Sequence, residues 1–127
     1  MPHLSMIIMS LNELPRVSLK DAITWARSNA GFTKAAFYIE VEVCRIIEQD
    51  VITTKGILSK IKIRDESAEA TLVVWGSKDN QRNLEVIRSR PKRIRIIQPV
   101  APTKKAAKQY EVHLWAHEKY TKIEIIE

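Results

Sequence analysis

Hydrophobic and polar residues alternate along most of the chain after residue 36, which is typical of β-strands with one buried face. The clearest case is residues 53–75, TTKGILSKIKIRDESAEATLVVW, where two alternating runs flank the polar residues 64–68. Polar residues of this kind favour a turn, so we predict a β-hairpin. If Leu72 and Val74 enter a core, Trp75 lies on the outer face. An exposed Trp75 and one covered by another element are both compatible with this hairpin.

The same alternation predicts further strands at residues 37–47, 93–96 and 112–116, and a short last strand at 122–125. Five principal strands thus follow one another without the helical crossovers that a parallel sheet needs. This order favours a closed antiparallel barrel, and a long loop before the fifth strand is typical of the OB-fold.

Helical spacing is confined to two short segments. Ser18 and Asp21 resemble a capping box in front of a helix over about residues 19–28. Apolar residues near Leu84 predict a small helical insert after the third strand, whereas residues 99–108 are expected to form a loop. The predicted fold is therefore all-β: a five-stranded OB-fold barrel with a short N-terminal helix and a small helical insert after the third strand.

The chain length fits one domain with an ordinary core. Of 127 residues, 45% are hydrophobic and 28% are charged, which is the balance of a soluble globular protein. We expect residues 1–17 to be an irregular lead-in and residues 18–127 to form a single OB-fold domain. No stretch approaches the length of a membrane span, so we expect an intracellular protein without a membrane partner.

The single cysteine limits the chemistry of the chain. Cys44 alone excludes an internal disulfide and a cysteine-based zinc site. It lies in an apolar run, and we expect it to be a buried thiol. The chain also lacks a glycine-rich phosphate loop and the common hydrolase and metalloprotease motifs. We therefore expect no catalysis, no metal and no cofactor.

Positive charge is concentrated in one part of the chain. The net charge is +6, which favours a polyanionic partner without proving one. Residues 86–110 contain eight basic residues and no acidic one. With the hairpin lysines, these cations could bracket Trp75, and single-strand binding needs both cations along the phosphates and aromatic faces for the bases. The candidate nucleic-acid-binding residues are Lys60, Lys62, Trp75, Arg93, Arg95, Lys104, Lys105, Lys108 and Trp115.

Two interpretations are open for Trp115, which either stacks on a base or lies beneath the N-terminal helix. His113 and His117 share its strand face, but no third ligand is near them in the sequence and a metal site is not expected.

Several short motifs occur in a known order. Lys55-Gly56, then residues 63–68 (IRDESA), then residues 70–76 (ATLVVWG) resemble the central run of replication protein A-type OB domains, which bind single-stranded DNA. The resemblance covers roughly residues 37–126. It implies that Trp75 stacks on a base and that a second aromatic follows the fourth strand, where this chain has none before Tyr110.

We therefore expect a non-catalytic single-stranded DNA-binding protein with little sequence preference, acting in DNA replication or repair. One alternative is a protein-interaction OB subunit of a multi-subunit single-strand-binding complex, which the missing second aromatic favours. The other is an RNA-binding OB module, because the same groove accepts either strand type.

Overall fold

A computed structural model describes residues 14–126 of the chain. These residues form one mostly β unit with a six-stranded sheet and three helices. In chain order the elements are α1 (Leu19–Ser28), β1 (Tyr38–Thr53), β2 (Gly56–Arg64), β3 (Glu69–Gly76), α2 (Arg82–Arg88), β4 (Arg93–Ile97), α3 (Lys104–Tyr110), β5 (Leu114–Ala116) and β6 (Lys122–Ile125). Most of the predicted lead-in, residues 1–13, lies outside the described part. Within residues 14–17, Arg16 forms an isolated bridge to Tyr38.

The strand order in the sheet is β5-β3-β2-β1-β4-β6. Strands β1, β2 and β3 form an antiparallel meander, β4 pairs with the other side of β1, and β6 pairs with β4. The only parallel pair of the described sheet joins β3 to β5. The two edges of the sheet therefore belong to neighbouring segments of the chain, β5 and β6.

This connection forces the sheet to curl. The edges of a flat six-stranded sheet lie roughly 24 Å apart, but the chain from Ala116 to Lys122 reaches at most about 21 Å when extended. The intervening residues form a turn, in which the carbonyl of His117 accepts the N–H groups of Tyr120 and Thr121. The sheet is thus a curled half-barrel. The predicted number of five strands is wrong, because the short last strand expected at residues 122–125 is a full member of the sheet and pairs with β4.

Alternation fixes which face of the sheet is buried. The fully buried side chains of β2 and β3 include Ile61, Ile63, Leu72 and Val74, as the hairpin pattern predicts. The helical insert after the third strand is confirmed as α2, whose buried Leu84 belongs to the same core cluster.

Cys44 is exposed, so the prediction of a buried thiol is wrong. The pairing of β1 with β2 shifts register between Val43 and Arg45. Such a bulge leaves one residue out of the ladder and interrupts the alternation of faces. Cys44 occupies that place, where the apolar sequence around it gives no indication of a bulge.

The N-terminal helix has its predicted bounds, and the turn between β2 and β3 caps its first residues. Ser18 Oγ accepts the N–H of Asp21 at 3.1 Å, which is the expected half of the capping box. In addition, Asp65 Oδ2 accepts the N–H of Leu19 at 2.8 Å, and Ser67 Oγ accepts that of Lys20 at 3.0 Å. The polar residues of the hairpin turn thus satisfy amide groups that a helix leaves unpaired.

Replacing Asp65 with alanine should lower the free energy of unfolding by about 1–2 kcal/mol. Burial raises the pKa of Asp65, but hydrogen bonds from the Ser67 hydroxyl and from the backbone of Leu19, Ser67 and Ala68 outweigh it, and the net pKa is lowered. The ionised form is therefore favoured in the folded state. Its stabilisation is present above the usual aspartate pKa of about 4 and is lost as the pH falls below it.

Urea unfolding of the wild type and Asp65→Ala at neutral and at acidic pH measures this effect. The difference between the two proteins should shrink at acidic pH. Glu66→Ala, which changes the exposed neighbour in the same turn, is the matched control. Equal stability of the Asp65→Ala and Glu66→Ala proteins at neutral pH would contradict the capping role.

Residues 104–110 form the helix α3, so the prediction of a continuous loop over residues 99–108 is wrong. Thr103 Oγ1 accepts the N–H of Ala106 at 3.1 Å and caps the helix. None of its seven residues is buried, and the hydrophobic periodicity that indicates a helix is therefore missing. Among residues 14–126, no helix has both the length and the apolar composition needed to cross a membrane.

Candidate nucleic-acid interface

The outer face of the central hairpin carries Trp75, as the alternation predicts. Cross-strand partners in a sheet share a face, and in the β2–β3 ladder Trp75 lies opposite Leu58 while Val73 lies opposite Lys60. Val73 also lies opposite Trp115 of β5. We call this surface the aromatic face; it consists of Leu58, Lys60, Val73, Trp75 and Trp115.

The aromatic face is partly covered by a second hydrophobic cluster. Val73, Val100, Val112 and Trp115 are buried there, and Leu58, Trp75 and Ala106 of α3 pack against them. Trp75 is only half-buried. Part of its indole therefore remains accessible at the margin of the cluster, so the two alternatives for this residue each hold in part.

Trp115 lies inside this cluster and not on an open surface. Its side chain is 8% exposed, and its ring lies between Trp75, at a centroid distance of 6.4 Å, and Phe32, at 4.9 Å. The covering contacts thus come from Phe32 and from the cluster beneath α3. A base cannot reach the face of this indole without displacing one of them.

Phe32 is the aromatic residue that sequence reasoning missed. Its side chain is 56% exposed, and its φ of 68° lies in the left-handed region, which costs a non-glycine residue about 1–2 kcal/mol. Backbone bonds hold it there: its N–H donates to the carbonyl of Ala101 at 2.9 Å, and that of Gly31 donates to Pro102 at 3.2 Å. The only sequence signal was an aromatic directly after a glycine at a helix end, which is too general to indicate a site.

The two hairpin lysines lie on the outer face, but each has a partner. Lys60 Nζ donates to the carbonyl of Tyr110 at 2.9 Å, at the C-terminal end of α3, where the helix dipole favours a cation. Lys62 Nζ lies 3.3 Å from a carboxylate oxygen of Glu69. Lys60 therefore links the hairpin to α3, and its charge remains at the edge of the aromatic face.

The lysines of α3 form no ion pair among the described residues. Lys104, Lys105 and Lys108 are all exposed, and none of the ion pairs formed within residues 14–126 includes them. Because α3 packs on the aromatic face through Ala106, these lysines belong to a helix that borders that face.

The predicted arginines share one strand face but are not brought to Trp75. Arg93 and Arg95 flank the buried Ile94 on β4, and β1 and β2 separate this strand from β3. Arg95 donates to Glu40 Oε2 at 2.7 and 3.0 Å and lies 3.5 Å from Glu124. The bond from Arg95 lowers the pKa of Glu40, which keeps the pair ionised.

Arg93 lies opposite Glu42 in the β1–β4 ladder, and it lines a separate cleft with acidic residues that include Glu40 and Glu66. The β4 arginines therefore belong to a surface of mixed charge. The predicted single collar of cations therefore divides in two, with the arginines on β4 and the lysines on β2 and α3.

Comparison of the chain with protein-family models and with curated proteins finds no match.

Proposed function

We propose that this protein is a non-catalytic single-stranded DNA-binding protein of the OB-fold type, with little sequence preference, acting in DNA replication or repair. The strand pairing supports the OB-fold part of the proposal. The OB-fold is a five-stranded Greek-key barrel that binds oligonucleotides on its second and third strands. The strand connections of such a barrel are like those observed here. In this interpretation β5 and β6 are two halves of one interrupted fifth strand.

The observation that carries the proposal is a partly exposed Trp75 at the margin of a cluster on which α3, with its three lysines, also packs. Bases of any sequence stack on an indole, and lysines without acidic partners attract the phosphates between them. This combination favours binding without sequence readout, because neither interaction distinguishes one base from another.

Phe32 supports the same assignment. The family resemblance implies a second stacking aromatic that the sequence lacks near its fourth strand. An exposed ring held in a strained backbone conformation next to Trp115 could supply that face, since strained conformations persist where surrounding contacts impose them and are frequent at binding sites. The proposed groove therefore consists of Trp75, Phe32, Lys60 and the three lysines of α3, and it leaves out Arg93 and Arg95.

Titration of the tryptophan fluorescence with a dT oligomer at two salt concentrations tests the proposal. We expect quenching and a log–log salt slope of about −0.7 per neutralised phosphate, or roughly −2 to −3 if three or four of these lysines take part. A U oligomer in the same assay separates a DNA-binding from an RNA-binding protein. Absence of binding at low salt, or binding that ignores salt, would contradict the proposal.

A protein-interaction subunit is the second candidate. Ile52 at the tip of the β1–β2 hairpin is 83% exposed, and in this candidate its apolar side chain forms the contact with the partner. In this case the chain would not bind the oligomer at low salt and would bind a protein partner through Ile52.

A further inference from the structure

A cleft between α1 and α3 lies next to the aromatic face and shares Lys104 and Lys108 with the groove proposed above. Its volume is about 600 Å³, within the range of small-molecule sites. The sheet contributes Lys62 and Thr71 to the lining, and the segment before β5 contributes His113. The two helices form the walls of the cleft. The side of α3 that carries Lys104 and Lys108 faces this cleft.

Positive charge dominates the lining. It contains Arg27 from α1, Lys62 from β2 and Lys104 and Lys108 from α3, against one acidic residue, Glu111. Within the described residues, Arg27, Lys104 and Lys108 take part in none of the ion pairs. Cations gathered around one cavity repel each other, and a bound anion removes that repulsion.

His113 adds a hydrogen-bond donor to the cations of this cleft. Its Nδ1 accepts the backbone N–H of Thr71 at 3.0 Å, so the proton of the neutral ring is on Nε2. Burial, followed by the charges of Arg27 and Lys62, lowers the pKa of His113. The ring is therefore neutral at physiological pH and offers one N–H as a hydrogen-bond donor among the four cations.

The remaining lining is apolar. Ile23 and Ala26 of α1 and Pro102 before α3 contribute to the walls, which suits a ring more than a hydrated inorganic ion. The cleft thus offers cations for the phosphate of a nucleotide and an apolar wall for its base or sugar. Its volume is large enough for one nucleotide.

We propose that this cleft binds the phosphomonoester of a nucleotide, carried either by a free mononucleotide or by the 5′-phosphorylated end of a strand. Arg27, Lys104 and Lys108 contact the phosphate, and the apolar wall from α1 contacts the nucleoside. Arg27 is the discriminating residue, because it lines the cleft and does not belong to the aromatic face. The site is independent of stacking on Trp75.

The experiment compares three probes on the full chain by titration calorimetry: a 5′-phosphorylated dT oligomer, the same oligomer with a 5′-hydroxyl, and dTMP. We expect the phosphorylated oligomer to bind about tenfold more tightly than the hydroxyl form, as charge-assisted hydrogen bonds allow. Arg27→Ala should abolish this preference and leave the affinity for the 5′-hydroxyl oligomer within about twofold. Arg82→Ala removes an exposed arginine from another helix and, as the matched control, should preserve the preference.

Arg27-dependent binding of dTMP supports the cleft even if neither oligomer binds, which separates it from the proposed function. Two results overturn the proposal. One is equal affinity for both oligomers together with no dTMP binding, and the other is an equal loss for both oligomers in Arg27→Ala, which would indicate general electrostatics.

Discussion

Replacing Trp75 with leucine is expected to weaken the binding of a dT oligomer by about 1–3 kcal/mol, or roughly five- to 150-fold. The π face of the partly exposed indole is lost, and leucine keeps an apolar contact with Leu58 and Trp115. The remaining affinity comes from the lysines of α3. Fluorescence anisotropy of a labelled oligomer measures the loss without depending on the protein's own tryptophans.

Trp75→Phe is the companion variant, because it retains a smaller aromatic face at the same place. We expect its affinity to lie between those of the wild type and Trp75→Leu. Circular dichroism confirms that each variant is folded. A folded Trp75→Leu protein with unchanged affinity would remove this residue from the interface, whatever its effect on stability.

The sequence predicted those elements whose pattern depends on one buried face. The hairpin alternation placed Leu72 and Val74 in the core, and the Ser18 cap located α1, because both signals are local. The sequence did not reveal α3, since a helix without a buried side has no apolar periodicity. It also did not reveal Cys44 at a bulge, because an extra residue in one strand depends on its pairing with the next.

The candidate site was predictable only in part, because charge partners depend on strand register. The residues around Arg95 contain no acid, yet pairing places Glu40 and Glu124 directly opposite it. The position of Phe32 could not be predicted either. Backbone hydrogen bonds between two irregular segments about 70 residues apart hold it against Trp115. Neither composition nor spacing indicates this contact.

The absence of acidic residues from residues 86–110 therefore does not indicate the single positive surface that the sequence suggested. Arg95 of that stretch is paired with carboxylates and Arg93 lines a cleft with acidic residues, while the lysines of α3 form no ion pair among the described residues. A stretch without acids in the sequence is thus no measure of a positive surface in the folded chain.

Replacing Trp115 with alanine should lower the free energy of unfolding by about 3–5 kcal/mol. Its ring is the largest buried group of the second cluster and contacts both Trp75 and Phe32. The backbone remains held by two hydrogen bonds with Val100, at 2.8 and 2.9 Å, so a cavity forms where the indole was. Since domains are stable by only about 5–15 kcal/mol, the loss should be obvious in urea unfolding followed by circular dichroism.

Trp115→Leu separates a packing role from a base contact. Leucine fills part of the cavity but has no π face, so stability should recover by at least about 1 kcal/mol relative to alanine. Oligonucleotide affinity should stay within about twofold of the wild type, because the covered indole offers no free face to a base. Trp75→Leu, the same exchange at the partly exposed position, should show the reverse: a small effect on unfolding and a large one on binding. If Trp115→Leu weakens binding as strongly as Trp75→Leu, the indole of Trp115 contacts the strand, and Phe32 must move aside when the strand binds.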